Sequence, residues 1–360
     1  YIFRPNQTEA FVVSNTVTST VRTLLSVSGA LVQEVHQTFS DWLSQTVRLY
    51  SNQDFLEIEY TVGPIPIGDD FGKEIITRFS TNISSAEYLY TDSNGREMQQ
   101  RLKDFRPTWT LNKTEPVSEN YYPVNAAAFI KDHATATGPQ LTVLTDRSQG
   151  GASLADGQIE LMVHRRLLYD DHRGVGEPLN ETTSITPYPN PVRLGTGLVI
   201  RGVHRLALSS VSNGAAAFRP LMDRIFSEPT VSFAPGSSAA YLKDHKPALT
   251  GAANLPENVA VVTLKSTGAK SLLLRLGHQF AVGEDATLSK PATVELGSLF
   301  TGLKVSAVKE VSLTANQPVT AVMNRKRAQT ELTRVFCVCV QAMSITLGPM
   351  QIRTFEVTLE

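Results

Sequence analysis

Phe55-Leu56-Glu57-Ile58-Glu59-Tyr60-Thr61-Val62 alternates apolar and polar residues, which puts Leu56, Ile58, Tyr60 and Val62 on one face of an extended chain. Ser51-Asn52-Gln53-Asp54 before it reads as a turn. The same signature returns on both sides. Tyr88 to Thr91 and Glu97 to Leu102 flank Ser93-Asn94-Gly95, and Asn-Gly is a strong hairpin signal because both residues tolerate positive φ. Leu141 to Leu144, Ile159 to Val163, Val259 to Leu264, Leu272 to Leu276 and Val305 to Leu313 read as further strands. Short strands separated by turn residues predict an all-β fold of tandem antiparallel β-sandwich domains rather than a parallel sheet. Thr182 to Leu198 is rich in Pro, Thr and Gly and reads as a surface loop, as does Ser209 to Ala217. Pro247 to Pro256 reads as a junction. The expected domains are a large sandwich over 1–255 and a smaller carboxy-terminal one over 256–360.

Charge narrows the function. Thirty-three Lys and Arg against 34 Asp and Glu give a net charge of -1, so no basic field exists to hold nucleic acid or an anionic membrane. The one tight basic cluster, Arg325-Lys326-Arg327, reads as a solvated turn. No apolar run reaches the ~18 residues of a membrane span. No signal peptide is visible and the first residue is Tyr1, which fits a processed chain and an artificial start equally. Cys337 and Cys339, one residue apart, read as two free thiols on one strand face, too strained a spacing for a ready disulfide. Asn6, Asn82, Asn112 and Asn180 each open an Asn-x-Ser/Thr sequon and are the candidate glycosylation sites of a luminal or secreted protein.

Two stretches carry candidate chemistry. Asp146 to Leu179 reads as a loop, a strand and a second loop. Gly150-Gly151 permits a tight backbone path, Arg165 and Arg166 close the strand, and Asp170, Asp171 and Arg173 follow. Charges this dense suit either an ion-pair network that fastens a loop or a solvated loop. Adjacent carboxylates such as Asp170 and Asp171 point in different directions and make a poor acid/base pair. In Asn120-Tyr121-Tyr122-Pro123-Val124-Asn125 the two tyrosines precede a proline, so the segment is extended. Its rings are core packing, or a hydroxyl stands at a cleft edge where it can bond to a sugar. The seven histidines form neither His-x-x-x-His nor His-x-Asp, Gly195-Thr196-Gly197 lacks a following helix, and no nucleophile elbow occurs. The chain is therefore expected to hold no metal and no catalytic residue.

The Asp146 to Leu179 stretch closely resembles a segment of the class II α-mannosidases of glycoside hydrolase family 38, in their carboxy-terminal β-rich half. Tyr1-Ile2-Phe3-Arg4-Pro5, Leu31 to Gln37, Val62 to Pro66, Tyr90 to Glu97, Leu272 to Leu276, His278 to Asp285 and Met350 to Phe355 extend the similarity and favour the lysosomal branch. It fades over about 183–258 and 315–345. The resemblance implies a non-catalytic β-sandwich part of a retaining enzyme that removes terminal α-D-mannose from N-linked oligosaccharides. It implies zinc in an amino-terminal catalytic part, where one Asp attacks the anomeric carbon and a second carboxylic acid protonates the leaving oxygen. It further implies that part as a partner chain, a mannose-containing oligosaccharide as ligand, a homo-oligomer, and a lysosome or other acidic lumen, or secretion. Tyr122 matches a family tyrosine whose hydroxyl contacts mannose. Asp170, Asp171 and Arg173 match a loop that supports the pocket or the domain interface. Leu31, Val35, Phe39, Trp42, Thr46 and Leu49 recur at helical spacing, but the resemblance puts strands there, and strands are expected. The alternative is a self-standing carbohydrate-binding or structural β-sandwich protein without hydrolase activity.

Overall fold

The alternating stretch forms β4, Leu56–Val62, with Tyr60 and Val62 buried and Glu59 and Thr61 half-exposed. The computed structural model describes residues 3–5, 7–26, 29–172, 174, 176–186, 193–233, 235–236, 255–300, 303–321 and 343–360. Arg173, Asn6, the cysteine pair, the Arg325 cluster and most of the expected Pro247–Pro256 junction lie outside these residues. Two compact units divide between Ser227 and Glu228.

The first unit is built on two large antiparallel sheets, with a two-stranded one beside them among the described residues. Nine strands form the larger: β1 (Thr18–Ser26), β2 (Gly29–Ser40), β3 (Leu43–Tyr50), β4, β15 (Ile200–Ser210), β10 (Pro139–Thr145), β9 (Ala127–Lys131), β6 (Tyr88–Ser93) and β7 (Glu97–Leu102), in that spatial order. Four form the smaller: β5 (Lys73–Ser80), β12 (Gln158–Arg166), β11 (Gln149–Ala152) and β8 (Tyr122–Val124). Leu89, Ala128, Ile130, Leu141 and Val143 of the large sheet pack on Val124, Ile159 and Leu161 of the small one. This is sheet-on-sheet packing driven by the apolar period-2 faces.

The other face of the large sheet is polar over β1 to β15. Arg22, Glu34, Arg48, Glu57 and Arg205 stand opposite one another across five strands, alternating in sign. Arg48 binds Glu34 and Glu59, each at 2.6 Å, and Arg205 binds Glu57 at 3.0 Å. Tyr50 donates to Glu57 at 2.9 Å, so the carboxylate, buried to 7% exposure, is satisfied by charge and by hydrogen bonds.

The expected strands over Leu31 to Tyr50 are present, and three other local expectations are corrected or refined. Leu31 to Tyr50 is the hairpin of β2 and β3, despite its helical spacing. Leu31, Val35 and Phe39 lie four residues apart, a spacing that one face of a strand supplies as well as a helix does, and the register with β3 is regular until a bulge between Thr38 and Ser40 at the end of β2. Ser209 to Ala217 is not a loop: it ends β15 and, after one 3-10 turn, begins α1, Gly214–Phe226. Leu221 and Met222 of α1 cover Ala126, Ala127, Leu144 and Ala207. Thr182 to Leu198 contains a hairpin, β13 (Thr182–Ile185) with β14 (Arg193–Gly197). Gly150 and Gly151 lie in β11, not in a loop. A Cβ on Gly150 would stand 2.7 Å from Met162 Sδ, and one on Gly151 would stand 2.7 Å from Val124 Cγ2. These glycines serve close packing between strands rather than a turn.

The second unit is a smaller antiparallel assembly. β16 (Val259–Gly268), β17 (Ser271–His278), β21 (Ile352–Leu359) and β19 (Val305–Val311) form one sheet, and β18 (Ala292–Glu295) pairs with β20 (Ser344–Leu347). Leu274, Leu276, Phe355 and Val357 pack with Val294, Leu296, Ile345 and Leu347. Among the described residues no helix is long and apolar enough to cross a membrane.

Candidate functional site

Strand β8 is the edge of the small sheet, and its first residue is Tyr122. The chain reaches that edge along a path fixed by one carboxylate. Asp92, at the end of β6, accepts from the backbone N–H groups of Asn125, Ala126 and Ala127 at 2.9, 2.9 and 3.0 Å through Oδ1. Its Oδ2 accepts from Gly95 N at 2.6 Å in the Asn94-Gly95 turn, where φ is 52° and 69°. One buried aspartate thus ties the β6–β7 hairpin to the β8–β9 corner.

The loop opposite is locked by Asn120. Its amide donates to Asp104 Oδ1 at 2.8 Å and to Pro116 O at 3.1 Å, and its Oδ1 accepts from Asp104 N at 2.8 Å. The Asn120 hydrogen bond, with Lys113 3.0 Å away, holds the Asp104 carboxyl below its usual range. The lock presents Arg106 to Tyr122. Arg106 Nη1 donates to Tyr122 Oη at 2.7 Å and to Phe105 O at 2.8 Å, and Nη2 donates to Glu119 O. The Arg106 and Arg101 guanidinium carbons lie 5.1 and 4.7 Å from the Tyr122 ring centroid. Burial raises the Tyr122 phenol pKa, and the two arginines oppose the rise.

Tyr121 points into different company. It donates to Glu160 Oε1 at 2.5 Å, and Glu160 Oε2 accepts from Arg78 Nε and Nη2 at 2.9 and 2.7 Å. Burial and the Glu160 charge push the Tyr121 phenol far above its usual pKa. Tyr121 also lines a cleft of about 480 Å³ with Phe3, Glu115, Ser118, Glu119, Met162 and Arg165. Arg165 pairs with Glu74, whose carboxyl burial lifts to about 6 against the pull of that arginine.

Asp170 lies 3.2 Å from His172 Nδ1, and Asp171 acts on Arg4, which pairs with Glu115 at the cleft. Of the sequons, Asn82 and Asn112 are exposed in connecting segments, whereas Asn180 is half-buried and its Oδ1 accepts from Arg166 Nε at 2.7 Å. Among the described residues no three His, Cys, Asp or Glu side chains are grouped to hold a metal ion, so these residues offer the implied zinc no ligand set. Sequence reasoning missed Asp92, Arg101, Arg106 and Asn120 as supports of Tyr122. The available signal for Asp92 was an Asp three residues before the turn glycine.

Residues 1–173 match the glycosyl hydrolases family 38 C-terminal domain, and residues 258–355 match the family's C-terminal beta sandwich domain. The chain belongs to glycoside hydrolase family 38 and corresponds to the carboxy-terminal β-rich part of its members. It is 47% identical to lysosomal alpha-mannosidase of Cavia porcellus and 46% identical to that of Homo sapiens, in each case over all of this chain and 35% or 34% of the relative. The chain thus spans about a third of the length of the curated relatives it matches. A crystal structure of an alpha-mannosidase from Enterococcus faecalis V583 shares the fold at 13% identity and a TM-score of 0.53, over 95% of this chain and 35% of that one.

Proposed function

We propose that this chain is the non-catalytic β-sandwich part of a lysosomal-type α-mannosidase, with domains over 1–255 and 256–360. The whole enzyme is retaining and zinc-dependent and hydrolyses terminal α-D-mannose in N-linked oligosaccharides within an acidic lumen. Zinc, nucleophile and acid belong to an amino-terminal catalytic part, as does the supply of a reactive carboxylate pair. This chain closes one side of the pocket, with Tyr122 as its contact to mannose and the Asp170-Asp171-Arg173 loop as support for the pocket or interface. The assembled enzyme is a homo-oligomer.

The observation that carries the reading is the setting of Tyr122: half-buried on an edge strand, with a hydroxyl fixed from behind by Arg106. A structural tyrosine would have its proton taken up as that of Tyr121 is, by a buried carboxylate. The test is Tyr122→Phe in the assembled enzyme. We expect kcat/KM on an α-mannoside to fall roughly tenfold, with zinc content and Tm unchanged. Unchanged kinetics removes Tyr122 from the substrate site. Mass analysis of the native preparation then asks whether a zinc-bearing amino-terminal part accompanies this chain. Its absence would favour the self-standing carbohydrate-binding protein.

A further inference from the structure

A phenol carries one proton and accepts hydrogen bonds on the same oxygen. On Tyr122 the acceptor side is occupied by Arg106 Nη1 at 2.7 Å. Among the described residues nothing accepts the proton. Arg106 cannot swing away without losing its bonds to Phe105 O and Glu119 O, and the Asn120 lock holds the loop that carries it. Neither Arg106 nor Arg101 has a carboxylate at ion-pair distance among the described residues, and both positive charges act on the phenol, offset only in part by Asp104. A guanidinium at the oxygen polarises the O–H bond and strengthens it as a donor.

Resting on the reading of Tyr122 as a substrate contact, we propose that Arg106 is a positioning residue that commits the Tyr122 hydroxyl to donate. The group it recognises on the sugar is then an oxygen acting as acceptor. A ligand group that can only donate finds no partner there, which makes the pair a selector of hydrogen-bond polarity as well as of shape. Arg101, stacked on the ring and bonded to Thr91 Oγ1 at 3.2 Å, steadies the ring plane but does not touch the hydroxyl oxygen.

The test is a double-mutant cycle in the assembled enzyme, with 4-nitrophenyl α-D-mannoside as substrate. Arg106→Met is expected to lower kcat/KM roughly three- to tenfold when Tyr122 is present and to change it little in the Tyr122→Phe background. Arg106→Lys keeps charge and a donor and is expected to recover part of the loss; it also runs the same cycle if Arg106→Met does not fold. Mannosides with one ring hydroxyl replaced by fluorine or by hydrogen supply a second readout. At the hydroxyl that Tyr122 reads, fluorine should cost less than hydrogen, because fluorine still accepts weakly. That gap should vanish in Tyr122→Phe and narrow in Arg106→Met. Equal losses in both backgrounds, or a deoxy and fluoro pair unaffected by Arg106, overturn the positioning role alone. Unchanged kinetics in Tyr122→Phe overturns the substrate contact itself, and a different variant reports that failure.

Discussion

The two sides of the chain at Tyr121 and Tyr122 use the same side chain for opposite ends. Tyr121 donates to a buried carboxylate that is already held by Arg78, so donor, acceptor and countercharge close on one another. Tyr122 receives from a guanidinium, and its own proton is left for something outside the described residues. A closed set of partners makes a structural residue, and a set open at one atom makes a residue that can recognise. Sequence type does not separate the two, since the residues are identical and adjacent. The sign of the charge placed behind each oxygen does.

The largest effect should come from opening the closed side. Glu160→Ala strips Arg78 and Tyr121 of their shared carboxylate in a residue 2% exposed, and we expect a stability loss of about 3–5 kcal/mol in denaturant unfolding. A loss under about 1 kcal/mol would mean that the set is not closed in the sense argued. Gly151→Ala is next, at about 1–3 kcal/mol, because its Cβ meets the branched Val124 at 2.7 Å and Leu161 at 3.0 Å. Gly150→Ala should cost less, since the atom it meets first is the flexible Met162 Sδ. The reverse ranking would show that β11 is not packed as described.

The direct contrast is the pair Tyr121→Phe and Tyr122→Phe. The first should cost about 1–3 kcal/mol of stability with kcat/KM preserved, and the second should do the opposite. Two variants with the same phenotype would erase the comparison. The smallest effect is set by pH. Glu74, beside the Tyr121 cleft, has its pKa raised from 4.5 to about 6 by burial. Its folded state therefore binds the proton more tightly than the unfolded chain. The contribution is full below 4.5 and is lost as pH rises through 6, about 1–2 kcal/mol in all. Buried His204, pushed down to about 4, has the opposite sign and loses stability as pH falls from 6.5. The comparison is therefore between wild type and Glu74→Gln. Their Tm difference should change between pH 4.5 and 7, and a constant difference would discard the assignment. On the Tyr122 side Asp104 is held low, so no titration is expected there in that window.

Much of the fold was legible because local pattern and tertiary role coincide. The Phe55–Val62 alternation became β4, and Asn94-Gly95 became the positive-φ turn between β6 and β7. Where two demands compete the reading slips. In β2 and β3 one face carries Glu34, His36 and Arg48, and on the other Gln33 and Gln37 interrupt Leu31, Val35 and Phe39, so the apolar residues of one strand face recur every four positions and imitate a helix. In α1 the small residues Gly214 to Ala217 suggested a loop, although Ala is the best helix former and Phe218, Leu221, Met222 and Ile225 mark one face. Tyr122 could be singled out only through resemblance. Its supports Asp92, Arg101, Arg106 and Asn120 lie up to 30 residues away, and no local rule joins them.

The alternating row that ends at Arg205 has a consequence in time. Strands β1 to β4 are consecutive hairpins that can form as soon as they are synthesised. Glu57, however, meets Arg205 across 148 positions of chain, because β15 lies between β4 and β10. Until residue 210 has emerged, the nine-stranded sheet remains two separate ribbons, each with an unpaired inner edge, and Glu57 has Arg48 but not Arg205. On the ribosome, this strand is the keystone, and translation must carry the chain past it before the wall can bear load.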